Sequence, residues 1–78
     1  MIHTTTDLYF AAAVISGGHK LTSTTRAGGR MTWVFGNVDL AGIEVDYINN
    51  RLMVPARTFA DTVRRLKAGA VAASKADA

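Results

Sequence analysis

The chain has no cysteine. No disulfide staples it, no thiolate site binds zinc, and cysteine usage says nothing about redox compartment. Histidine occurs twice, as His3 and His19, far apart in sequence, and no HExxH, EF-hand or zinc-finger spacing is present, so no metal site is expected. Proline occurs once, at Pro55. No run approaches the roughly 20 apolar residues that a membrane span requires. Residues 8–15 are apolar but follow no cationic segment, so a secretory signal is not expected and a cytoplasmic protein is. The glycine pairs Gly17-Gly18 and Gly28-Gly29 match no phosphate-binding fingerprint. A Ser/His/Asp set drawn from Ser16 or Ser23 with His19 and Asp39 has no supporting pattern. The reading is therefore non-enzymatic, with no catalytic residues and no cofactor.

What is present is a small, apolar, basic chain. Its 78 residues are 49% hydrophobic with a net charge of +3. That is enough apolar matter for a core, and one domain's worth of chain. A domain of this size buries only about 60% of its unfolded surface and is marginal without oligomerisation. The positive charge admits an anionic partner such as nucleic acid.

The organising stretch is residues 20–36. Two strand-like runs flank Ala27-Gly28-Gly29, a hairpin signal, because tight turns require positive φ. Met31, Trp33 and Phe35 alternate with Thr32 and Val34, the period of a half-buried strand. A three-residue loop predicts the pairs Leu21–Phe35, Ser23–Trp33 and Thr25–Met31. Lys20, Thr22, Thr24, Arg26, Arg30 and Thr32 then share the outer face.

Around the hairpin, the pattern predicts three helices. Residues 1–6 read as an extended lead-in, with Thr4 and Asp7 at capping-box spacing. The first helix spans about residues 7–16, ends at Gly17-Gly18 and is apolar nearly all round, which calls for burial on more than one side. The second spans about 39–49, capped by Asn37 or Asp39 and ended by Asn49-Asn50. It has two apolar stripes: Leu40, Ile43 and Tyr47, and Ala41, Val45, Ile48 and Leu52. Glu44 and Arg51 project between them. Glu44 is expected as a partly buried carboxylate paired with Arg51 or a hairpin arginine, or as a polar contact in a pocket or interface. Residues 51–54 either add a third strand or merely connect. Pro55 opens the third helix, whose Ala56, Phe59, Ala60, Val63, Leu66 and Ala70 make the cleanest amphipathic stripe, with Phe59 expected in the core. Arg57 and Asp61 are spaced as an ion pair. Residues 1–70 form one domain, and 71–78 a flexible, fraying tail.

The expected fold is α+β: helix, hairpin, helix, short strand or connection, helix, with a small antiparallel sheet covered on one face by helices one and three. The expected function is binding. Lys20, Arg26, Arg30, Arg57, Arg64 and Arg65 are the candidate nucleic-acid contacts, and the apolar surfaces of helices one and two suggest a homodimer. The first rival is an interaction module that binds and modulates another protein; the second, less favoured, is a small enzyme.

Segments of the chain also carry a likeness. Asp7-Leu8-Tyr9-Phe10-Ala11-Ala12, Gly18-His19-Lys20-Leu21, Arg57-Thr58-Phe59-Ala60-Asp61 and Arg64-Arg65-Leu66-Lys67 resemble, in order, a family of short phage and bacterial proteins, domain-of-unknown-function family 5659. The likeness covers roughly residues 5–67. It implies a phage or mobile-element setting, in which the rival module would bind and modulate a host or phage protein, for example as an anti-defence inhibitor, and it assigns no catalytic residue.

Overall fold

The structure is a computed structural model that describes residues 3–36 and 38–77, the last five of these as backbone only. Its elements are β1 (Thr4–Thr5), α1 (Leu8–Ser16), β2 (Leu21–Ala27), β3 (Arg30–Phe35), α2 (Leu40–Ile48) and α3 (Ala56–Asp77). The fold is α+β, a three-stranded antiparallel sheet of order β1-β3-β2 with helices on one face.

The hairpin closes more tightly than expected. Gly28 and Gly29 both have positive φ, 58° and 79°, the signature of a two-residue type I′ turn, whose twist matches that of the flanking strands. Ala27 therefore pairs with Arg30, Arg26 with Met31, and Thr24, rather than Ser23, with Trp33. A one-residue change of register moves side chains to the other face of a strand. Thr24 and Arg26 thus leave the expected outer face and share the face of Met31 and Trp33, while Arg30 and Thr32 stay outside. An irregularity between Leu21 and Ser23 absorbs the extra residue and restores the expected pair Leu21–Phe35. Met31, Trp33 and Phe35 face the helices as the alternation requires, with Trp33 only 4% exposed.

The third strand comes from the N-terminal side. Thr4 pairs with Val34 and Thr5 with Trp33, and the Phe35 amide donates to the His3 carbonyl at 2.7 Å. Residues 51–54 only connect. β-Branched threonines suit an edge position on the pleated sheet, so the lead-in becomes β1.

Asp7, not Thr4, caps α1. Its carboxylate accepts from the Tyr9 and Phe10 amides at 3.0 and 3.2 Å, while the Thr5 hydroxyl accepts from the Asp7 amide. The helix ends in a Schellman turn: Gly18 N–H donates to the Ile15 carbonyl, His19 N–H to that of Val14, and Gly18 has φ 98°. α1 is buried on two sides. Phe10, Ala11 and Val14 join Trp33, Phe35, Val38 and Leu40 in the core. Ala12, Ala13 and Ser16 are buried outside that cluster, and α3 is the helix packed most extensively on α1. The Ser16 hydroxyl is satisfied internally by donating to the Ala12 carbonyl. α1 and α2 both share the core with Trp33 and Phe35, through Phe10, Ala11 and Val14 and through Leu40. α3 stacks on α1, with Leu66 reaching the core.

α3 begins where Pro55 requires, the Phe59 amide donating to the Pro55 carbonyl at 2.9 Å. Its inward line is shifted from the expected stripe. Thr62 is its buried residue, 6% exposed, and its hydroxyl donates to the Thr58 carbonyl. Phe59, Ala60, Val63, Leu66 and Ala70 flank that line half-buried, and Ala56 is exposed. The small, self-satisfied threonine suits the close approach that the α1 alanines permit. Arg64, not Arg57, pairs with Asp61, at 2.7 Å. The helix runs on to Asp77, through most of the stretch expected as a tail; its alanines are the strongest helix formers.

Candidate functional site

α2 is positioned by its ends. The Asp39 carboxylate accepts from the Gly42 amide at 3.2 Å; Asn37, the other candidate cap, lies outside the described residues. At the far end Asn50 takes φ 59°, its N–H donating to the Tyr47 carbonyl and that of Arg51 to the Asp46 carbonyl at 2.8 Å, a second Schellman turn. Leu40, Ile43 and Tyr47 turn inward onto the core, where Tyr47 tilts against Phe10 with ring centroids 5.1 Å apart.

Of the second stripe, Ala41, Val45 and Ile48 face out, while Leu52, beyond the helix end, is half-buried. Ala41 and Gly42 are exposed, Val45 is 51% exposed and Ile48 69% exposed. With Asn49 they form a helix face without a charged residue. Met53, on the segment that follows, is 87% exposed. Exposed apolar residues scattered singly mean little, but a contiguous face is the mark of an interaction site.

The polar pair expected between the stripes is not assembled. Arg51 contacts Asp46, with 3.2 Å between Nη2 and Oδ1, both side chains half or more exposed. Glu44 is exposed. The reason is the helix end: the turn at Asn50 breaks the 3.6-residue period, so Arg51 no longer follows Glu44 along one face. Such an exposed pair is worth under about 1 kcal/mol.

The cations divide into two groups. Lys20, Arg26 and Arg30 belong to the hairpin; Lys20 and Arg30 are exposed and Arg26 is half-buried beside Met31. Arg57, Arg64 and Arg65 are exposed on α3. α1 lies between these layers. Residues 8–38 contain no acid at all, whereas Asp39, Glu44 and Asp46 gather on or before α2. The sheet's outer side is thus acid-free, with Arg30 and the hydroxyls of Ser23, Thr25 and Thr32 upon it, while α2 is acidic at its flanks and apolar on its outer face. Sequence reasoning found the cations but not this division, which depends on the hairpin register and on the stacking of α3.

Among the described residues no three His, Cys, Asp or Glu side chains are grouped to hold a metal ion, and no helix is long and apolar enough to cross a membrane. Of the residues considered for a Ser/His/Asp set, Ser16 is bonded within α1, Asp39 caps α2, and His19 and Ser23 are exposed. An open cleft of about 230 Å³ lies beside α2, lined by Ala13, Tyr47, Asn50, Leu52, Val54 and Phe59. The cleft explains why Phe59 is half-buried rather than enclosed.

Comparison with protein-family models, with curated proteins and with solved structures finds no match to this chain.

Proposed function

We propose that this is a non-enzymatic binding protein that works as a homodimer, joined through the outward face of α2, and contacts nucleic acid through its cationic surface. The observation that carries the reading is the uncharged face of Ala41, Gly42, Val45, Ile48 and Asn49. Such a face carries no charge of its own to desolvate on two-fold apposition, and its small residues permit close helix approach. Leaving it wet forfeits about 25 cal/mol for each Å² of apolar area. α1, the other candidate dimer surface in the sequence, has Phe10 through Val14 and Ser16 buried within the chain.

The nucleic-acid half of the reading is supported by the acid-free stretch 8–38 and by hydroxyl and guanidinium donors, which suit phosphate oxygens. A dimer doubles those donors and raises avidity for an extended anion. The family resemblance adds a phage or mobile-element setting, and with it a host cytoplasm.

Light scattering across a tenfold micromolar range tests the dimer. A doubled mass is expected, returning to the 8.3 kDa of one chain in Ile48→Lys; a wild-type mass near 8.3 kDa throughout overturns it. Titration of a labelled oligonucleotide tests the second half. Binding should fall steeply between about 50 and 200 mM salt. A monomer that binds no oligonucleotide favours the rival reading, in which the same α2 face and exposed Met53 engage a foreign protein.

A further inference from the structure

We propose that the cleft beside α2 binds one uncharged, ring-sized group that carries a hydrogen-bond acceptor. Size, lining and rigidity each narrow the occupant.

The volume, about 230 Å³, exceeds the roughly 150 Å³ of an apolar cavity that holds benzene. It falls below the roughly 300–1,000 Å³ of sites for drug-sized ligands. One substituted ring fits between these bounds. No charged side chain lines the cleft, so a charged ligand would lose hydration without gaining a partner. Ala13, Leu52, Val54 and Phe59 supply apolar contact. Leu52 and Val54 alternate with Met53, which is exposed, so the connecting segment turns one side to the cleft and the other to water.

The two polar side chains of the lining are Tyr47 and Asn50. Asn50 sits in the left-handed conformation of the α2 Schellman turn, and the Tyr47 ring is braced against Phe10. Burial, and then the negative charge of Asp7, raises the Tyr47 phenol above its usual value of 10. Like any tyrosine phenol it is protonated at neutral pH and can donate a hydrogen bond. Ala13 provides the space: any longer side chain at this point of α1 occupies it.

The inference uses neither the exposed stripe of α2 nor any cation, so it stands or falls separately from the dimer and nucleic-acid reading. The test is titration of the full chain with acetophenone and with cumene, a hydrocarbon of the same shape without the acceptor, followed by ¹H–¹⁵N NMR. Saturable shifts are expected at Asn50, Leu52, Val54 and Phe59, with acetophenone the tighter. Tyr47→Phe should weaken acetophenone about two- to tenfold and leave cumene unchanged. Ala13→Met should abolish both. Val54→Phe, which fills the cleft from the connecting segment, does the same should the α1 variant not fold. N-acetylphenylalaninamide separates the two sources of such a ring: tighter binding than acetophenone marks a side chain presented by a protein, and weaker binding marks a free small molecule. No saturable shift in the wild-type chain with any of the three probes overturns the proposal. So do shifts that persist in the filled variants, or equal binding of acetophenone and cumene.

Discussion

α1 and α2 are the same helix in local terms and opposite in their fate. Each is nine residues long. Each is capped by an aspartate, Asp7 or Asp39, and each closes in a Schellman turn on a left-handed residue, Gly18 or Asn50. Each carries apolar residues on more than one stripe. Yet Phe10 through Val14 and Ser16 are buried in α1, whereas Leu40 is the buried residue of α2. α1 is clasped between the sheet and α3. α2 meets the core through Leu40, Ile43 and Tyr47, and no described element covers Val45 and Ile48. Excess apolar surface on a helix thus states a demand for cover without saying what supplies it. In α1 the chain itself answers; on the outer face of α2 the demand is left open, and the dimer reading starts there.

That contrast breaks most readily at the core. Phe10→Ala should cost about 3–5 kcal/mol by urea melting, as for a large side chain removed from a packed interior. Val45→Ala in dilute protein should change stability by no more than about 0.5 kcal/mol. A loss of 2 kcal/mol or more at Val45, on the order of a buried core truncation, would mean that α2 is covered within the chain after all. Insertion of bulk gives the next effect. Ala12→Leu should cost about 1–3 kcal/mol, because α1 and α3 have no room to part, while Ala41→Leu should be close to neutral. Equal effects at the two alanines would dissolve the distinction between the helices. The smallest effect lies at the caps, where the helices are alike. Asp7→Ala and Asp39→Ala should each cost about 0.5–2 kcal/mol, with Asp7 the larger because its carboxylate holds two amides and that of Asp39 one. The reverse order, read from thermal melts, would show that burial rather than hydrogen bonding sets the value of the cap.

Much of this was legible in the chain because it is local. The alternation of Met31, Trp33 and Phe35, the punctuation by Gly17-Gly18, Asn49-Asn50 and Pro55, and the stripe of α3 each depend on residues within one or two turns of one another. The register of the hairpin was less legible. Gly28-Gly29 permits a two- or a three-residue loop, and the irregularity near Thr22 that reconciles the tight turn with the Leu21–Phe35 pair has no signature in composition. The register in turn moved Arg26 away from Arg30 and divided the candidate cations. Phe59 was misjudged for a related reason: periodicity marks the inward side of a helix but not whether packing closes over it, and here a cleft keeps it half-open. Thr62 was missed because hydrophobicity does not flag a threonine whose hydroxyl is satisfied by its own helix.

The sequence by itself therefore determined the class of fold, the number and order of its helices and the inward edge of its hairpin, since turn chemistry and apolar period act over a few residues at a time. Only the tertiary structure decided that the N-terminal threonines and not residues 51–54 complete the sheet, that α3 covers α1 and leaves α2 bare, and that Tyr47, Asn50 and Phe59 meet around a cleft. Each of those outcomes depends on which distant segment reaches a surface first and fits it best, a competition among shapes that no local pattern encodes.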